Sequence, residues 1–268
     1  MEKLEGQIRE IDFPKVSMII PTLNSATLIL STLESLLEQD YPDFEVIVID
    51  AGSTDRTLEI IKGLKDPRLR IYSVSDHSRY EMLNKGITHA YGTYLNFLFP
   101  GDFYLYPKVL RDMMQLALEN ASPSLVYCGT LLRDGRVEVK TLYRPLSSEL
   151  LRMGKQPTSL QACWFRNDTF RRIGKFNTSF SLRGGYELLC RLVLSGLLNV
   201  QSTSRVFTDY DLRFVTRELV IRHFFETMRI INHYFGLWAV FGWLFKQKDM
   251  ARILKLWWRS VKIAFLGK

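Results

Sequence analysis

The sequence predicts an α/β fold in which a mostly parallel, open sheet is flanked by helices and followed by a C-terminal amphipathic helical extension. Two observations predict this fold. Short runs rich in β-branched residues alternate with segments of helical periodicity, and turn-forming residues bound each run. Parallel strands joined by helices form open sheets whose ligands bind beyond the carboxyl ends of the strands. We therefore expect the functional residues just after each strand.

The elements follow in a regular order along the chain. Strands at Val16–Ile20 and Val46–Ile49 enclose a helical pattern of leucines, which together form a βαβ unit. The pattern then predicts a strand at Leu69–Val74, a helix at Glu81–Tyr91 and a strand at Thr93–Phe99. The last predicted elements of the domain are a helix at Lys108–Glu119 and strands near Leu125–Cys128 and Val137–Leu142.

Composition places the chain among globular proteins. Its 268 residues are 47% hydrophobic and 24% charged, which is enough for a full core and argues against disorder. The N-terminal segment mixes acids with bases and has only a short apolar run, so we expect no secretory signal and a cytoplasmic protein. The 3 cysteines lack a C-x-x-C spacing and the 4 histidines are scattered, so the sequence predicts buried thiols and no zinc or histidine metal site.

Positive charge is concentrated at the C-terminus. Of the net charge of +8, residues 201–268 carry +7, and residues 246–268 contain seven bases and the single acid Asp249. We therefore divide the chain into a near-neutral domain over residues 1–200 and a basic, amphipathic helical tail over residues 201–268. This charge balance favours an anionic surface such as phospholipid or nucleic acid.

Polar turns follow three of the predicted strands. The first is PTLNS, in which Asn24 or Ser25 can cap a helix, and the second is DAGSTDRT, which begins at Asp50. Each turn alone is typical of helix capping. Three polar turns along one sheet edge are also typical of a nucleotide pocket, and the sequence has no glycine-rich phosphate loop. We therefore predict a nucleotide pocket that does not depend on such a loop.

The third turn, FLFPGD, places Asp102 at the end of an apolar strand. This aspartate could be the remnant of a metal site, a working variant of one, or only a turn residue. Hard cations such as Mg²⁺ prefer oxygen ligands but commonly take only one or two carboxylates from the protein. One acid can therefore suffice for a weak site.

Several segments in the correct order resemble family 2 glycosyltransferases of the GT-A fold, in particular the branch that builds bacterial surface polysaccharides. They are VSMIIPTLN, VIVIDAGSTDRT, YEMLNKGITHAYGTYLNFLFPGD, LQACWFRNDTFRRIGKFN and GGYELLCRL, and they extend from about Val16 to Gly196. The resemblance implies inverting transfer of a sugar from a nucleotide-diphosphate donor to an acceptor hydroxyl, usually with Mg²⁺ or Mn²⁺.

The same resemblance implies which residues bind the donor. The matching positions are Pro21, Thr22, Asn24, Asp50, Asn84 and Lys85. The first three border the nucleotide, Asp50 matches the acid that hydrogen-bonds the base, and the last two lie in the helix beneath the donor. Ala51 stands where the family often has a second acid. Asp76 and Glu81 also occupy acidic family positions, with solvated surface as the alternative for both.

The departures from the family pattern fall where the chemistry takes place. FLFPGD would read FLNADD or FLNAGD in the family, in which a polar residue and one or two acids hold the cation. Phe99 and Gly101 remove two of these positions and leave Asp102 as the expected metal ligand. The family base is an aspartate at the position of Gly185, which leaves Glu187 as the candidate base, with an orienting or structural role of this acid as the alternative. In extended backbone Glu187 would share the face of Gly185, whereas on a helix it would point away.

The tail predicts contact with a membrane surface. Residues 234–245 are uncharged and aromatic, but twelve helical residues span about 18 Å and cannot cross a bilayer core of about 30 Å. From Met250 onward one helical stripe is apolar and rich in tryptophan, and the opposite face is basic. This pattern favours a helix that lies in the membrane interface, with a core-packing helix as the alternative.

The sequence thus leads to one main hypothesis and two alternatives. The main hypothesis is a glycosyltransferase at the inner face of the membrane, which moves a sugar from a nucleotide-sugar donor to a lipid-linked saccharide acceptor. The first alternative is a catalytically silent GT-A homologue that acts as a binding or scaffold subunit. The second is a nucleic-acid-binding protein, which we disfavour because the sequence contains no motif that reads RNA or DNA.

Overall fold

The computed structural model describes residues 12–75, 78–133, 140–196, 199–212 and 216–246. Its strands are β1 (Val16–Thr22), β2 (Phe44–Asp50), β3 (Leu69–Ser73), β4 (Tyr94–Phe97), β5 (Leu125–Arg133), β6 (Lys140–Leu142), β7 (Cys163–Arg166) and β8 (Val200–Asp211). Its helices are α1 (Ile29–Leu37), α2 (Thr57–Gly63), α3 (Arg79–His89), α4 (Val109–Glu119), α5 (Ser148–Arg152), α6 (Asn167–Ile173), α7 (Gly184–Leu194), α8 (Arg217–Phe235) and α9 (Leu237–Phe245).

One mixed sheet organises these elements. Its strand order is β3-β2-β1-β4-β7-β5-β6, and β8 also pairs with β5. The neighbours β3, β2, β1 and β4 are parallel, as is the β5–β8 pair, whereas β7 and β6 are antiparallel to their partners. The predicted α/β fold with a mostly parallel sheet is confirmed. The antiparallel strand β7 was not predicted.

The sheet is covered on both faces, which explains the nearly continuous apolar sequence of its central strands. Side chains of β1 alternate between the two cores: Met18 and Ile20 belong to one buried cluster and Ile19 to the other. Helix α3 packs closely on the second face at Gly86, where a Cβ atom would lie 2.3 Å from Cγ2 of Ile19. This glycine lets the helix approach the sheet closely at the middle of β1.

The sheet extends beyond the boundary predicted at residue 200. Strand β8 runs parallel to β5 from the pair Leu125–Val200 to the pair Arg133–Asp211. The first part of the predicted tail is therefore a strand of the sheet. The basic charge of this segment does not reveal the pairing, because β8 becomes buried only through its contacts with a distant strand.

The two C-terminal helices that the structure describes pack against the domain and against each other. Ile231 of α8 and Ala239, Val240 and Trp243 of α9 form a small buried cluster. No helix among the described residues is long and apolar enough to cross a membrane. Three features predicted from the sequence lie outside the described residues: the amphipathic stripe from Met250 onward, Asp76, and part of the predicted strand Val137–Leu142.

Candidate active site

The loops after β1 and β2 form one edge of the site. The parallel pairing places Thr22 directly opposite Asp50, so these predicted donor residues do lie side by side. Asn24 adopts a left-handed backbone conformation with φ of 46°, which asparagine tolerates well. Its Oδ1 accepts a hydrogen bond of 2.9 Å from the backbone amide of Thr54, and its own backbone amide donates to Ser53 Oγ at 2.9 Å. The two loops are thereby joined into one rigid edge.

Asp50 holds the second loop in place. Its carboxylate is fully buried and accepts hydrogen bonds from the amides of Gly52 (3.0 Å) and Ser53 (2.9 Å) and from the Ser53 hydroxyl (2.5 Å). Gly52 has φ of 81°, which permits this tight turn. In contrast, the hydroxyl of the adjacent Thr22 is buried and has no hydrogen-bond partner among the described residues. The edge thus combines a saturated carboxylate with one unsatisfied hydroxyl.

Asn84 and Lys85 do not join this edge. The Asn84 side chain forms two hydrogen bonds of 2.9 Å with the backbone of Phe176, one as donor and one as acceptor. Lys85 is exposed, and Glu81 is half-buried in the first turn of α3. We therefore interpret Asn84 as a brace between α3 and the loop that follows α6, which differs from the donor contact expected from the sequence.

A cavity of about 500 Å³ lies next to the carboxyl end of β4, between the sheet, α7 and α8. Phe99, Gly101 and Gly185, the three departures noted in the sequence, all line it. Its polar lining residues include Arg79, Asp102, Gln156, Gln161, Arg183, Asp211 and His223. The cavity is large enough for part of a substrate and brings carboxylates and cationic side chains together.

Asp102 is the buried acid of this cavity, with only 5% of its surface exposed. Its Oδ2 accepts hydrogen bonds from Gln161 Nε2 at 2.8 Å and from the Phe99 amide at 3.3 Å. Burial raises the pKa of Asp102 to about 8, and the neighbouring Asp209 carboxylate acts in the same direction. Without a bound cation, this side chain is largely protonated near neutral pH.

The donor set at Asp102 fits a divalent cation only as a site with one protein carboxylate. No group of three or more His, Cys, Asp or Glu side chains that could hold a metal occurs in the part of the chain that the structure describes. Gln161 and Asp102 are joined by a hydrogen bond, and neither Phe99 nor Gly101 offers a ligand atom from its side chain. Phosphate and water oxygens would have to complete the coordination of Mg²⁺ or Mn²⁺.

The position of Glu187 does not support its expected role as the catalytic base. It lies in the first turn of α7, only 2% exposed, and it is not among the residues that line the cavity. Both carboxylate oxygens accept hydrogen bonds from Arg191, at 2.8 and 2.9 Å, and Oε1 also accepts one from the Tyr234 hydroxyl at 2.5 Å. Because this segment is helical, residues 185 and 187 point in different directions. Glu187 instead links α7 to α8.

A second carboxylate holds the beginning of α7 at the cavity wall. Glu226 of α8 accepts hydrogen bonds from the amides of Ser181, Leu182 and Arg183 and from the Ser181 hydroxyl, at 2.7 to 3.0 Å. The next residues, Gly184 and Gly185, begin the helix. The nearest neighbours of a Cβ atom at Gly185 would be atoms of Leu160, at ordinary contact distances of 3.4 to 3.6 Å, so a Cβ atom fits there without a clash.

Among the cavity residues that were not identified from the sequence are Arg79, Gln161, Asp211 and His223. Gln161 lies inside a segment that resembles the family and Arg79 directly precedes another, but neither residue type signals a role without its neighbours. Asp211 ends β8, with its carboxylate 3.4 Å from Arg133 Nη1, and His223 lies on α8. A sequence reading that recognised β8 as a strand could have found Asp211, because polar residues at strand ends are candidates for the site.

Comparisons with known proteins agree with this architecture. The model of glycosyl transferase family 2 matches residues 17–176. A "PGL/p-HBAD biosynthesis glycosyltransferase" of Mycobacterium bovis is 30% identical over 207 residues, which cover 74% of this chain and 77% of the relative. An uncharacterized glycosyltransferase of Rickettsia typhi is 25% identical over 248 residues, which cover 90% of this chain and 75% of the relative.

Solved structures show the same fold. S. aureus TarS in complex with UDP superimposes with a TM-score of 0.65 at 22% identity, and the match covers 82% of this chain but only 65% of that TarS chain. The mannosyltransferase PcManGT from Pyrobaculum calidifontis, in complex with GDP-Man and Mn²⁺, gives a TM-score of 0.59 at 20% identity and covers 94% of this chain and 81% of the other. With the family model matching more than half of the sequence, the chain belongs to glycosyltransferase family 2.

Proposed function

We propose that the protein transfers a sugar from a nucleotide-diphosphate donor to a hydroxyl group of a saccharide acceptor, with inversion at the sugar carbon. The observation that carries the proposal is the cavity beside the carboxyl end of β4, which is lined by Asp102, Gln161 and Asp211 together with the first residues of α7. The complexes of TarS with UDP and UDP-GlcNAc and of PcManGT with GDP-Man support a nucleotide-sugar donor.

The donor would extend from the rigid loop edge into the cavity. The nucleoside would lie against Thr22, Asn24 and Asp50, where Thr22 Oγ1 can donate a hydrogen bond that it lacks in the described structure. The diphosphate would lie near Asp102. A divalent cation bound there would supply positive charge to the phosphate oxygens.

The transfer itself requires a proton acceptor. The acceptor oxygen bonds to the anomeric carbon, the bond from that carbon to the diphosphate oxygen breaks, and the nucleoside diphosphate leaves with the electron pair. The hydroxyl proton passes to a carboxylate within about 3 Å or through one water. Since Glu187 faces away, we propose Asp211, a carboxylate of the cavity lining paired with Arg133, for this role.

The competing proposal is a silent homologue that binds nucleotide but transfers nothing. The observation that favours it is the glycine at position 185, which leaves the wall of the cavity without a side chain next to the start of α7. Such a protein would serve as a binding subunit for an active partner. Introducing Gly185→Asp together with Phe99→Asn could then create donor hydrolysis.

One set of variants tests both proposals. Release of UDP, GDP or dTDP from the corresponding sugar nucleotides would be measured with membrane lipid extract as acceptor and Mn²⁺ present. We expect Asp102→Ala and Asp211→Asn to reduce release at least a hundredfold, and Glu187→Gln to retain it in the folded fraction. Nucleotide binding without release by the wild type would establish the silent homologue. Full release by both Asp102→Ala and Asp211→Asn would refute the assigned roles.

We further propose that the protein works at the inner face of a membrane on a lipid-linked acceptor. Trp238, Phe241 and Phe245 of α9 lie on one helical face and are 83%, 44% and 71% exposed. The opposite side of α9 is buried against α8. Val220 of α8 lines the cavity and is also 56% exposed, so an apolar surface adjoins the cavity. An aromatic face followed by the basic residues 246–268 suits the interface of an anionic bilayer.

Sedimentation with liposomes tests this placement. We expect the intact protein to bind vesicles that contain acidic phospholipid, and we expect high salt to weaken binding because the bases are screened. The double variant Trp238→Ser/Phe241→Ser and removal of residues 246–268 should each reduce binding. Tyr91→Ser removes another aromatic ring, 73% exposed, and serves as the control. Equal sedimentation of all variants would contradict the proposal.

A further inference from the structure

Phe99, the least expected residue of the FLFPGD turn, contacts an arginine. The guanidinium of Arg79, at the first position of α3, lies over the Phe99 ring at 4.6 Å from its centroid. Both side chains line the cavity that contains Asp102. Cation–π contact of this kind restricts the arginine without neutralising it. The ring therefore holds a positive charge at the mouth of the cavity.

Arg79 retains its charge for a ligand. Its side chain is exposed, and it forms no salt bridge with any residue in the described ranges. The other arginine of the cavity lining, Arg183, is buried. It donates to Gln156 Oε1 at 2.6 Å and to the Gly154 carbonyl at 3.2 Å and stacks on Tyr186, whereas its Nε has no hydrogen-bond partner among the described residues. Of these two arginines, Arg79 is thus the exposed one, and its charge can meet an anion that enters from solvent.

A diphosphate in this cavity needs positive charge that Asp102 cannot provide. The diphosphate carries at least two negative charges, and a buried carboxylate beside it adds a third when ionised. With a single carboxylate as protein ligand, a divalent cation is weakly held. An arginine offers a permanent charge and a planar fork that matches two phosphate oxygens.

We propose that Arg79, positioned by Phe99, binds the terminal phosphate of the nucleoside diphosphate and makes its binding partly independent of a metal. This inference rests on the proposed function, because it assigns a residue to the diphosphate of the donor. Phe99 then has a role as the support of Arg79, where the family resemblance leads one to expect a polar residue. The same contact favours departure of the diphosphate during transfer, since the arginine is attracted to the charge that develops on the leaving oxygen.

Calorimetric titration of nucleotides tests the inference without any measurement of turnover. UDP and UMP, GDP and GMP, and dTDP and dTMP would each be titrated in EDTA and then in Mn²⁺. The informative quantity is the ratio of diphosphate to monophosphate affinity in EDTA. We expect a ratio of about ten or more in the wild type, because a charge-assisted hydrogen bond of arginine to phosphate is made only by the diphosphate.

The variants distinguish a specific contact of Arg79 with the phosphate from a general effect of positive charge on nucleotide binding. Arg79→Gln should bring the ratio in EDTA close to one and leave the monophosphate affinity unchanged. Phe99→Leu, which keeps an apolar side chain but removes the ring face, should give an intermediate ratio. Arg171→Gln removes the same charge from the exposed side of α6 and should behave as the wild type.

The possible failures are distinguishable. An unchanged ratio in Arg79→Gln, or a wild-type ratio near one in EDTA that rises only with Mn²⁺, would overturn the role of Arg79 and leave the proposed function intact. If no nucleotide binds to the wild type in either condition, the proposed function fails, and the inference fails with it.

Discussion

Removing the carboxylate of Glu226 should loosen the contact between α8 and the start of α7. Four donors converge on this side chain, namely three consecutive backbone amides and one hydroxyl. Amides that precede a helix have no partner within the helix, and here a carboxylate from another helix supplies one. Glu226→Ala removes the acceptor of all four donors. Glu226→Gln keeps one acceptor oxygen but replaces the other with an NH₂ group, which cannot accept a hydrogen bond from these donors.

The expected magnitude follows from these bonds. A hydrogen bond to a charged group contributes about 1.5 to 3 kcal/mol, but the side chain is half-buried and water can replace part of the loss. We expect Glu226→Ala to lower the free energy of unfolding by about 3 to 5 kcal/mol, and Glu226→Gln by about 2 to 4 kcal/mol. These are large fractions of the stability of an ordinary domain.

Urea unfolding followed by circular dichroism at pH 7 measures the effect. Glu218→Gln is the matched control, because Glu218 lies on the same helix and its ion pair within the described part of the chain is with the exposed Arg222, at 3.0 Å. We expect this control to change the free energy of unfolding by less than about 0.5 kcal/mol. A loss for Glu226→Ala as small as that of the control would refute the anchoring role.

The pH dependence provides a second check on Glu226. Burial acts to raise its pKa, but the hydrogen bonds from Ser181, Leu182 and Arg183 outweigh burial and lower the pKa below its usual value. The stabilisation is therefore present above the unfolded-state pKa of about 4.3 and is lost as the pH falls through the lower folded-state pKa. The difference between the wild type and Glu226→Gln should shrink below about pH 4. A difference that grows on acidification would contradict this assignment.

Three further substitutions test the structure elsewhere. Glu187→Gln should lower the free energy of unfolding by about 2 to 4 kcal/mol, because it breaks the buried ion pair with Arg191. Nucleotide release by the folded fraction should be unchanged. Loss of release in fully folded protein would support a catalytic role for Glu187. Asp50→Ala should weaken nucleotide binding at least tenfold, because the loop after β2 loses the three hydrogen bonds that the Asp50 carboxylate accepts. Unchanged nucleotide affinity in calorimetry would mean that the nucleoside binds elsewhere. Gly86→Ala should lower the free energy of unfolding by about 1 to 3 kcal/mol through overlap with Ile19, and a gain in urea unfolding would show that the helix can shift.

The sequence by itself determined the alternation of strands and helices, the family and the edge of the sheet at which the candidate site was expected. These properties depend on local patterns, because apolar runs, turn residues and ordered motifs predict strands, turns and family membership without knowledge of distant contacts. The turns after the first two strands were predicted to lie along one edge of the sheet, and the register places Thr22 beside Asp50. The sequence also raised the alternative that Glu187 would point away if its segment were helical, and the segment is helical.

Only the tertiary structure decided which side chains face the cavity. Strand β8 lies in the sheet through pairing with β5, about 75 residues earlier in the chain, and no local pattern specifies that partner. Glu226 contacts residues 43 to 45 positions away, and Arg79 meets Phe99 across the end of the sheet. Such contacts depend on how the helices and strands pack against one another, which the local sequence of each element does not specify. For this reason the motif positions were found from the sequence, whereas the partners of Glu187, Glu226 and Arg79 required the folded chain.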